Sequence, residues 1–218
     1  VHHSNNGVDL AEFEYNKQNS CFSDEDLESN DKKVVYVGSI RLANNLGQLM
    51  EAAKVLKKNG RSDIKFLIYG DGTEKEELER VATQENLNVI FKGKVGKKYI
   101  PYILSKADVN IINVKNTGLT KYGCSWNKLF EYIASERPIL CNFPQNYDLI
   151  RNNLLGVSEK FENAEEYAKA IIKLSSLTQE EYRGIVKRSS ELKLEYDYKN
   201  LTKTLIHILE DVNGEKLL

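Results

Sequence analysis

Short apolar runs alternate with amphipathic stretches along most of the 218 residues. Each run ends at glycine or a polar turn, which is typical of a buried strand. The stretches between the runs repeat apolar residues every three or four positions, which predicts helices that bury one face. The predicted strands cover residues 34–37, 64–69, 89–91, 109–114, 138–142 and 156–157. The predicted helices cover residues 46–60, 73–85, 97–106, 125–136, 163–177, 178–194 and 197–213.

This alternation predicts the fold class. Strand–helix units that follow one another favour a parallel sheet with right-handed crossovers. We therefore expect an α/β protein with a Rossmann-like, doubly wound parallel sheet and helices on both faces. Ligands of such sheets bind beyond the carboxyl ends of the strands, so the residues just after each strand are the first candidates for a site.

Residues 14–32 show neither the helical repeat nor the apolar run of a strand, and they are rich in acidic side chains. We therefore predict an exposed, mobile connector there. Residues 1–31 hold eight acids and one lysine (−7), and residues 32–218 hold 30 basic and 24 acidic residues (+6), which together give the net charge of −1. The mildly basic body suits an anionic ligand. The near-zero total gives no support to a nucleic-acid partner.

Composition excludes several other classes. The chain is 41% hydrophobic and 29% charged, which is an ordinary globular balance. No apolar run reaches the roughly 18–20 residues that a membrane span needs. The three cysteines have no CxxC spacing, which favours a reducing, cytoplasmic compartment, and the three histidines lie toward the ends. We predict no metal and no cofactor. The first residue is Val and no apolar signal follows, so we expect a fragment of a longer protein.

Two turns after predicted strands are candidate ligand sites. In residues 38–45, Gly38 and Ser39 permit close approach of the backbone, and Arg41 adds a permanent cation before the helix N-terminus that Asn44 or Asn45 caps. A phosphate site and a plain turn both fit this segment. Residues 70–72 pair Gly70 with Gly72 around Asp71, which fits crowding against a ligand and a structural turn equally.

The predicted helix 125–136 carries the most informative residues. Ser125 is the predicted N-cap, which places Lys128 at the third helical position, where a cation opposes the helix dipole unless an anion is bound there. Asn127, Lys128 and Glu131 fall on the side opposite the apolar face, where Glu131 suits a pair of sugar hydroxyls. A solvated Lys128 paired with Glu131 is the alternative.

Several blocks, in order along the chain, resemble the donor-binding half of GT-B glycosyltransferases of the large retaining class called family 4. The blocks are Asn6-Gly7-Val8-Asp9, Tyr36-Val37-Gly38-Ser39-Ile40, Ile68-Tyr69-Gly70-Asp71-Gly72, Val89-Ile90-Phe91-Lys92-Gly93-Lys94-Val95, Ala107-Asp108-Val109 and Ser125-Trp126-Asn127-Lys128-Leu129-Phe130-Glu131-Tyr132. The last block is similar to the SPNKLFEY subgroup. The resemblance covers nearly the whole chain.

The resemblance implies a role for each matching position. Glu131 matches a glutamate that holds the nucleotide ribose. Lys94 and Val95 match the stretch whose backbone meets the base. Gly38, Arg41 and the helix start at Ser125 match diphosphate-binding positions, and Lys128 matches the signature lysine. The implied domains are an incoming interdomain segment and acidic connector (1–31), a nucleotide-sugar-binding Rossmann-like domain (32–194), and a C-terminal helix that would cross back to a missing N-terminal domain (195–218).

Three departures from the family pattern are present. Gly123 stands where the first signature glutamate would lie, eight residues before Glu131. Asn44-Asn45 stand where many relatives have Lys-Gly, and Trp126 replaces a proline. The N-terminal acceptor domain, where the family's catalytic groups lie, is not in this chain, so no catalytic residue is predicted.

The first expected function is the donor half of a hexosyltransferase that uses a nucleotide-diphosphate sugar, UDP-sugar first, with retention and without a metal. The resemblance implies a saccharide or lipid-linked acceptor, surface or capsular polysaccharide synthesis, and peripheral membrane contact of the full-length enzyme. The fragment alone is expected to be inactive. The alternatives are a non-catalytic nucleotide-binding accessory module and another GT-B enzyme, such as a nucleotide-sugar epimerase. The apolar stripe Leu201, Leu205, Ile208 and Leu209 suggests self-association.

Overall fold

Six parallel strands form one sheet with the order β3-β2-β1-β4-β5-β6 in the computed structural model, which describes residues 5–115 and 126–213. The strands are β1 Lys32–Val37, β2 Ile64–Tyr69, β3 Val89–Gly93, β4 Val109–Ile112, β5 Ile139–Cys141 and β6 Gly156–Ser158. The order reverses between β1 and β4, and ligands of open α/β sheets bind beyond the strand ends at such a point. The predicted doubly wound, Rossmann-like α/β fold is confirmed.

The helices surround this sheet. They are α1 Leu10–Asn19, α2 Glu25–Glu28, α3 Leu46–Lys58, α4 Lys75–Gln84, α5 Ile100–Lys106, α6 Asn127–Ala134, α7 Leu149–Asn152, α8 Ala164–Ser175, α9 Gln179–Glu195 and α10 Tyr198–Asn213. Short 3₁₀ turns precede α3 and α5. The sequence predicted most of these helices to within a few residues, but it missed α1, α2 and α7.

Two predicted helix starts differ from the structure. The N-cap of α6 is Trp126, so Lys128 is the second helical residue rather than the third, and the predicted cap Ser125 lies outside the described residues. The N-cap of α4 is Glu74 rather than Thr73. Neither Trp126 nor Glu74 makes a side-chain capping bond. The predicted N-caps were chosen because a Ser or Thr hydroxyl usually caps a helix, but the N-cap residues of these two helices carry no hydroxyl.

The two faces of the sheet bury separate apolar clusters because successive strand residues point in opposite directions. In β1, Val34 and Tyr36 join the cluster under α3 and α8, whereas Val35 joins the cluster under α1, α5, α6 and α9. Phe66 and Leu67 of β2 divide in the same way. Packing on both faces holds the strands in place, and the candidate site lies at their carboxyl ends.

The acidic segment that follows α1 is ordered and docked against the sheet. Leu27 of α2 is only 1% exposed. Lys65 of β2 pairs with Asp26 and Asp31 at 2.8 Å each, and Lys92 of β3 pairs with Asp24 at 2.7 Å and with Asp26 at 2.5 Å. The prediction of a connector without regular structure is therefore wrong, whereas the predicted exposure holds for Cys21, Ser23, Glu25, Glu28 and Asn30. The segment is held by the opposite charges of the strands and by its few apolar anchors.

The C-terminal helix α10 leaves part of its apolar stripe in solvent. Tyr198, Leu205 and Leu209 are exposed, and a bridge between Val8 and Asp197 joins the start of the helix to the N-terminal segment. Self-association through this stripe stays a prediction. No helix in the described ranges is long and apolar enough to cross a membrane.

Candidate functional site

The loop after β1 continues the pairing of β1 with β2. The Gly38 amide donates to the Tyr69 carbonyl and the Ile40 amide donates to the Asp71 carbonyl, both at 2.9 Å. The Asn44 side-chain amide donates to the Ser39 carbonyl at 2.8 Å and to its hydroxyl at 3.0 Å, which fastens the turn before α3. Two of the backbone amides near the predicted anion site are therefore already occupied.

The glycines of the turn after β2 are required by the backbone of that loop. A Cβ on Gly70 would lie 1.8 Å from the Gly38 carbonyl oxygen, and one on Gly72 would lie 2.2 Å from the Ile40 carbonyl oxygen. Both residues also have positive φ angles, 152° and 158°. Of the two sequence interpretations, the structural turn accounts for both glycines, because the crowding comes from the protein's own backbone.

An open cleft of about 340 Å³, which we call the strand-end cleft, lies where β1, β2 and β3 end. Its lining residues are Val37, Gly38, Ser39, Tyr69, Gly70, Asp71, Lys94, Val95 and Ile100. The cleft thus gathers predicted site residues from three separate loops. Lys94 and Asp71 are exposed at it, and Arg41 is exposed on the loop that continues from Ser39.

Lys128, in the first turn of α6, is half-buried against β1. Its ammonium lies 3.4 Å from the Tyr36 hydroxyl and 4.7 Å from the centre of the Tyr36 ring. The Tyr36 hydroxyl in turn donates to the Ser39 carbonyl at 2.7 Å. A Cβ on Gly38 would come within 2.8 Å of the ammonium, so this glycine gives the lysine its room beside the cleft.

The charge of Lys128 has no carboxylate partner among the residues that the structure describes. Burial lowers its pKa to about 8, and the nearby Glu131 carboxylate only partly opposes this. The predicted alternative, a solvated Lys128 paired with Glu131, does not fit these contacts. A half-buried cation at a helix N-terminus, beside a glycine and an open cleft, is suited to an anion.

Glu131 and Asn127 line a second cleft of about 150 Å³, which we call the α1–α6 cleft. Its other lining residues are Gly7, Val8, Asp9, Glu12, Phe13, Asn16, Lys97, Pro101 and Tyr198. Burial raises the pKa of the Glu131 carboxyl, and the Lys97 and Lys128 charges act in the opposite direction. A half-buried carboxyl facing a polar cleft can accept hydrogen bonds from ligand hydroxyls.

The predicted grouping of Asn127, Lys128 and Glu131 on one side of α6 is only partly right. Asn127 and Glu131 line the same cleft because residues four apart lie on one helix face. Lys128 instead turns toward β1 and Tyr36. The departure at Gly123 lies outside the described residues.

Sequence reasoning missed Tyr36, Tyr69 and Lys97. The two tyrosines lie in strands that predict only core positions, yet Tyr36 contacts Lys128 and Tyr69 lines the strand-end cleft. Lys97 follows Lys94 in a lysine-rich loop after β3 and lines the α1–α6 cleft. Its position at the start of the predicted helix 97–106, just after a predicted strand, was the available signal.

Comparison with known proteins gives a family match. The model of the family described as "Glycosyl transferases group 1" matches residues 18–191. No match was found among curated protein sequences.

Several solved structures share the fold. Anabaena HepE in complex with UDP-glucose superposes with a TM-score of 0.72 at 14% identity, over 94% of this chain and 56% of that one. An S. aureus TarM variant, in complex with fondaparinux, α-GlcNAc-glycerol and UDP, superposes with a TM-score of 0.63 at 21% identity, over 82% of this chain and 35% of that one. The C-terminal domain of LpcC from Francisella tularensis superposes with a TM-score of 0.62 at 20% identity, over 85% of this chain and 96% of that one. The chain therefore spans about half or less of HepE and TarM.

Proposed function

The chain belongs to the glycosyl transferases group 1 family, and on that premise we propose that it binds the nucleotide-diphosphate sugar donor of a glycosyltransferase, with UDP-sugar as the first candidate. The diphosphate would lie beside Gly38 at the N-terminus of α6. The ribose hydroxyls would bond to Glu131, and the base would meet the backbone of Lys94 and Val95.

One observation supports this assignment above the others: the Lys128 ammonium is held beside Gly38 without a carboxylate among the described residues. A cation that is partly withdrawn from water without a counterion costs free energy, and a ligand that supplies the negative charge offsets that cost. A diphosphate supplies that charge and can also accept from free amides in the first turn of α6.

The proposed reaction is transfer of a hexosyl group with retention, as in the family-4 class. As the bond from the sugar to the diphosphate breaks, negative charge grows on the leaving phosphate. Lys128, Arg41 and the N-terminus of α6 would stabilise that charge electrostatically, and on this proposal no metal is required. The acceptor, a saccharide or a lipid-linked saccharide, would be bound outside this chain. Surface or capsular polysaccharide synthesis in the cytoplasm is the proposed setting.

UDP is the first nucleotide to test because the HepE structures contain UDP or UDP-glucose and the pneumococcal GtfA structure contains UDP and GlcNAc. A second candidate, a nucleotide-binding accessory module without transfer activity, is favoured by one contact. Asn44, at a position where many relatives have a basic residue, is used to fasten Ser39 rather than to add charge.

The test is a calorimetric titration of the purified chain with UDP, GDP and ADP, each with and without Mg²⁺. We expect UDP to bind at micromolar to millimolar Kd with no dependence on the metal. Lys128→Met should weaken binding at least about 10-fold, since it removes a bond between two charged groups. Lys169→Met, at an exposed lysine of α8, is the matched control. Binding that is equal in both variants would contradict the assignment.

A further inference from the structure

We propose that residues 22–26, which precede and begin α2, position the wall of the strand-end cleft, and that Asp24 is the positioning residue on which nucleotide affinity depends. The second half of this inference rests on the proposed function. The first half concerns the ligand-free protein and can be tested without a nucleotide.

Asp24 bonds to two residues on neighbouring strands. Its carboxylate accepts from the Tyr69 hydroxyl at 2.8 Å through Oδ2 and from the Lys92 ammonium at 2.7 Å through Oδ1. The Asp24 side chain is only 5% exposed. Salt screens such a pair much less than an exposed one. One carboxylate therefore joins the end of β2 to the end of β3.

Phe22 adds an aromatic contact on the same side. Its ring meets the Tyr69 ring edge-on, with centroids 6.1 Å apart and planes at 80°, and it lies 5.4 Å from the Tyr99 ring at 53°. Edge-on pairs of this kind contribute beyond their buried area. The same short segment therefore contacts a third element, the turn that leads into α5.

One of the three contacted residues lines the strand-end cleft, and the other two lie within two residues of its lining along the chain. Tyr69 lines it directly, Lys92 lies two residues before Lys94, and Tyr99 immediately precedes Ile100. The Gly70 amide donates to the Gly93 carbonyl at 2.8 Å, so the loops after β2 and β3 are joined where the segment holds them.

The edge position of β3 explains why such a restraint matters. Within residues 5–115 and 126–213, β3 is the last strand on its side of the sheet and pairs only with β2, with a shift of register at Tyr69. The loop that carries Lys94 and Val95 therefore leaves from a strand with no second neighbour. Asp24 and Asp26 hold that strand through Lys92, from the helical layer above it.

The experiment compares the unchanged chain with Asp24→Asn, Tyr69→Phe, the double variant and Glu28→Gln. Tyr69→Phe removes only the hydroxyl, so it tests the same bond if Asp24→Asn folds poorly. Glu28 is the matched control, because it also accepts from a tyrosine hydroxyl, Tyr102 at 2.8 Å, and from a lysine, Lys106 at 3.2 Å. Neither partner of Glu28 lines the strand-end cleft.

The first measurement is the Kd of UDP by calorimetry. We expect Asp24→Asn and Tyr69→Phe each to raise the Kd about 3–10-fold, the effect of losing one hydrogen bond. The double variant should bind more tightly than the sum of the two single effects predicts, because both changes act on the contact between Asp24 and Tyr69. Glu28→Gln should stay within about 2-fold of the unchanged chain, whatever it does to the melting temperature.

The second measurement is amide hydrogen exchange without ligand. Peptides spanning residues 69–72 and 92–96 should exchange faster in Asp24→Asn and Tyr69→Phe, while peptides of β5 and β6 stay unchanged. Unchanged exchange would overturn the positioning role. Faster exchange with an unchanged Kd would overturn the link to affinity. If the unchanged chain binds no nucleotide, the proposed function fails, and exchange alone decides whether residues 22–26 hold the cleft.

Discussion

The Lys128 ammonium lies over the face of the Tyr36 ring, 4.7 Å from its centre, and 3.4 Å from the hydroxyl of the same ring. The ring and the first turn of α6 enclose the cation, and burial lowers its pKa from 10.5 to about 8. The ring face attracts the charge, but a phosphate would attract it more strongly. On the proposed function, the affinity of the site for a phosphate therefore depends in part on whether Lys128 is protonated.

UDP affinity is expected to fall as the pH rises above about 8. The free protein loses the Lys128 proton through that pKa, whereas bound diphosphate favours the charged form and raises the pKa. Below pH 7 the lysine is already charged and makes no contribution to the slope. Calorimetry at pH 8.5 in two buffers of different ionisation enthalpy should show proton uptake on binding. Lys128→Met should remove both the slope and the uptake.

Lys128→Met is also expected to stabilise the ligand-free protein, by about 2 kcal/mol at pH 7. The folded pKa lies below the unfolded value, so the folded chain binds fewer protons between about pH 8 and 10.5. The free energy of unfolding therefore rises with pH in that window. Below pH 8 the charged Lys128 destabilises the folded chain to its full extent. Urea unfolding at pH 7 and pH 10 measures this. A less stable variant at pH 7 would show that the lysine is structural.

Glu131→Ala is expected to weaken UDP binding by about 1–3 kcal/mol, because the ribose hydroxyls lose a charged acceptor. The decisive comparison uses the 2′-deoxy analogue of UDP. The unchanged chain should bind the analogue more weakly than UDP, and the variant should bind both alike. Glu165→Ala, at an exposed carboxylate in the first turn of α8, serves as control. A variant that still prefers UDP would place the ribose elsewhere.

Gly70→Ala is expected to destabilise the fold by about 2–3 kcal/mol, because the new methyl group would overlap the Gly38 carbonyl oxygen. Gly47→Ala offers a control of opposite sign. Gly47 lies in the first turn of α3, and no atom lies within 4 Å of the position that a methyl group would take there. Alanine at this position should therefore stabilise the helix by about 0.5–1 kcal/mol. Thermal melts of both variants measure these two changes in stability. Equal effects would mean that the loop after β1 moves aside freely.

The strands and most helices were predictable because each depends on a local period. Val34 to Val37 and Ile64 to Tyr69 read as buried strands from their own residues, and they pair in register as parallel neighbours. The helix from Leu46 has its apolar positions where the sequence places them. Local pattern and tertiary burial agree at these positions, so one sequence window is sufficient.

The acidic segment was not predictable in this way. Asp24, Asp26 and Asp31 are held by lysines that lie 34 to 68 residues further along the chain, and no local window contains both partners. The only sequence feature that indicated this docking was the opposite net charge of residues 1–31 and residues 32–218. The direction of Lys128 was missed for a similar reason, because Tyr36, its partner, lies in a strand 92 residues earlier.

The loop after β1 has a kinetic consequence. Its Gly38 and Ile40 amides are bonded to the backbone beside β2, so its peptide planes cannot turn toward an arriving anion without breaking those bonds. Adjustment to the ligand is left to long side chains such as that of Arg41, which change rotamer in picoseconds to nanoseconds when exposed. For the proposed diphosphate we therefore expect association on this side of the site to be limited by the encounter between ligand and protein, and the lifetime of the complex by how fast the charged contacts separate.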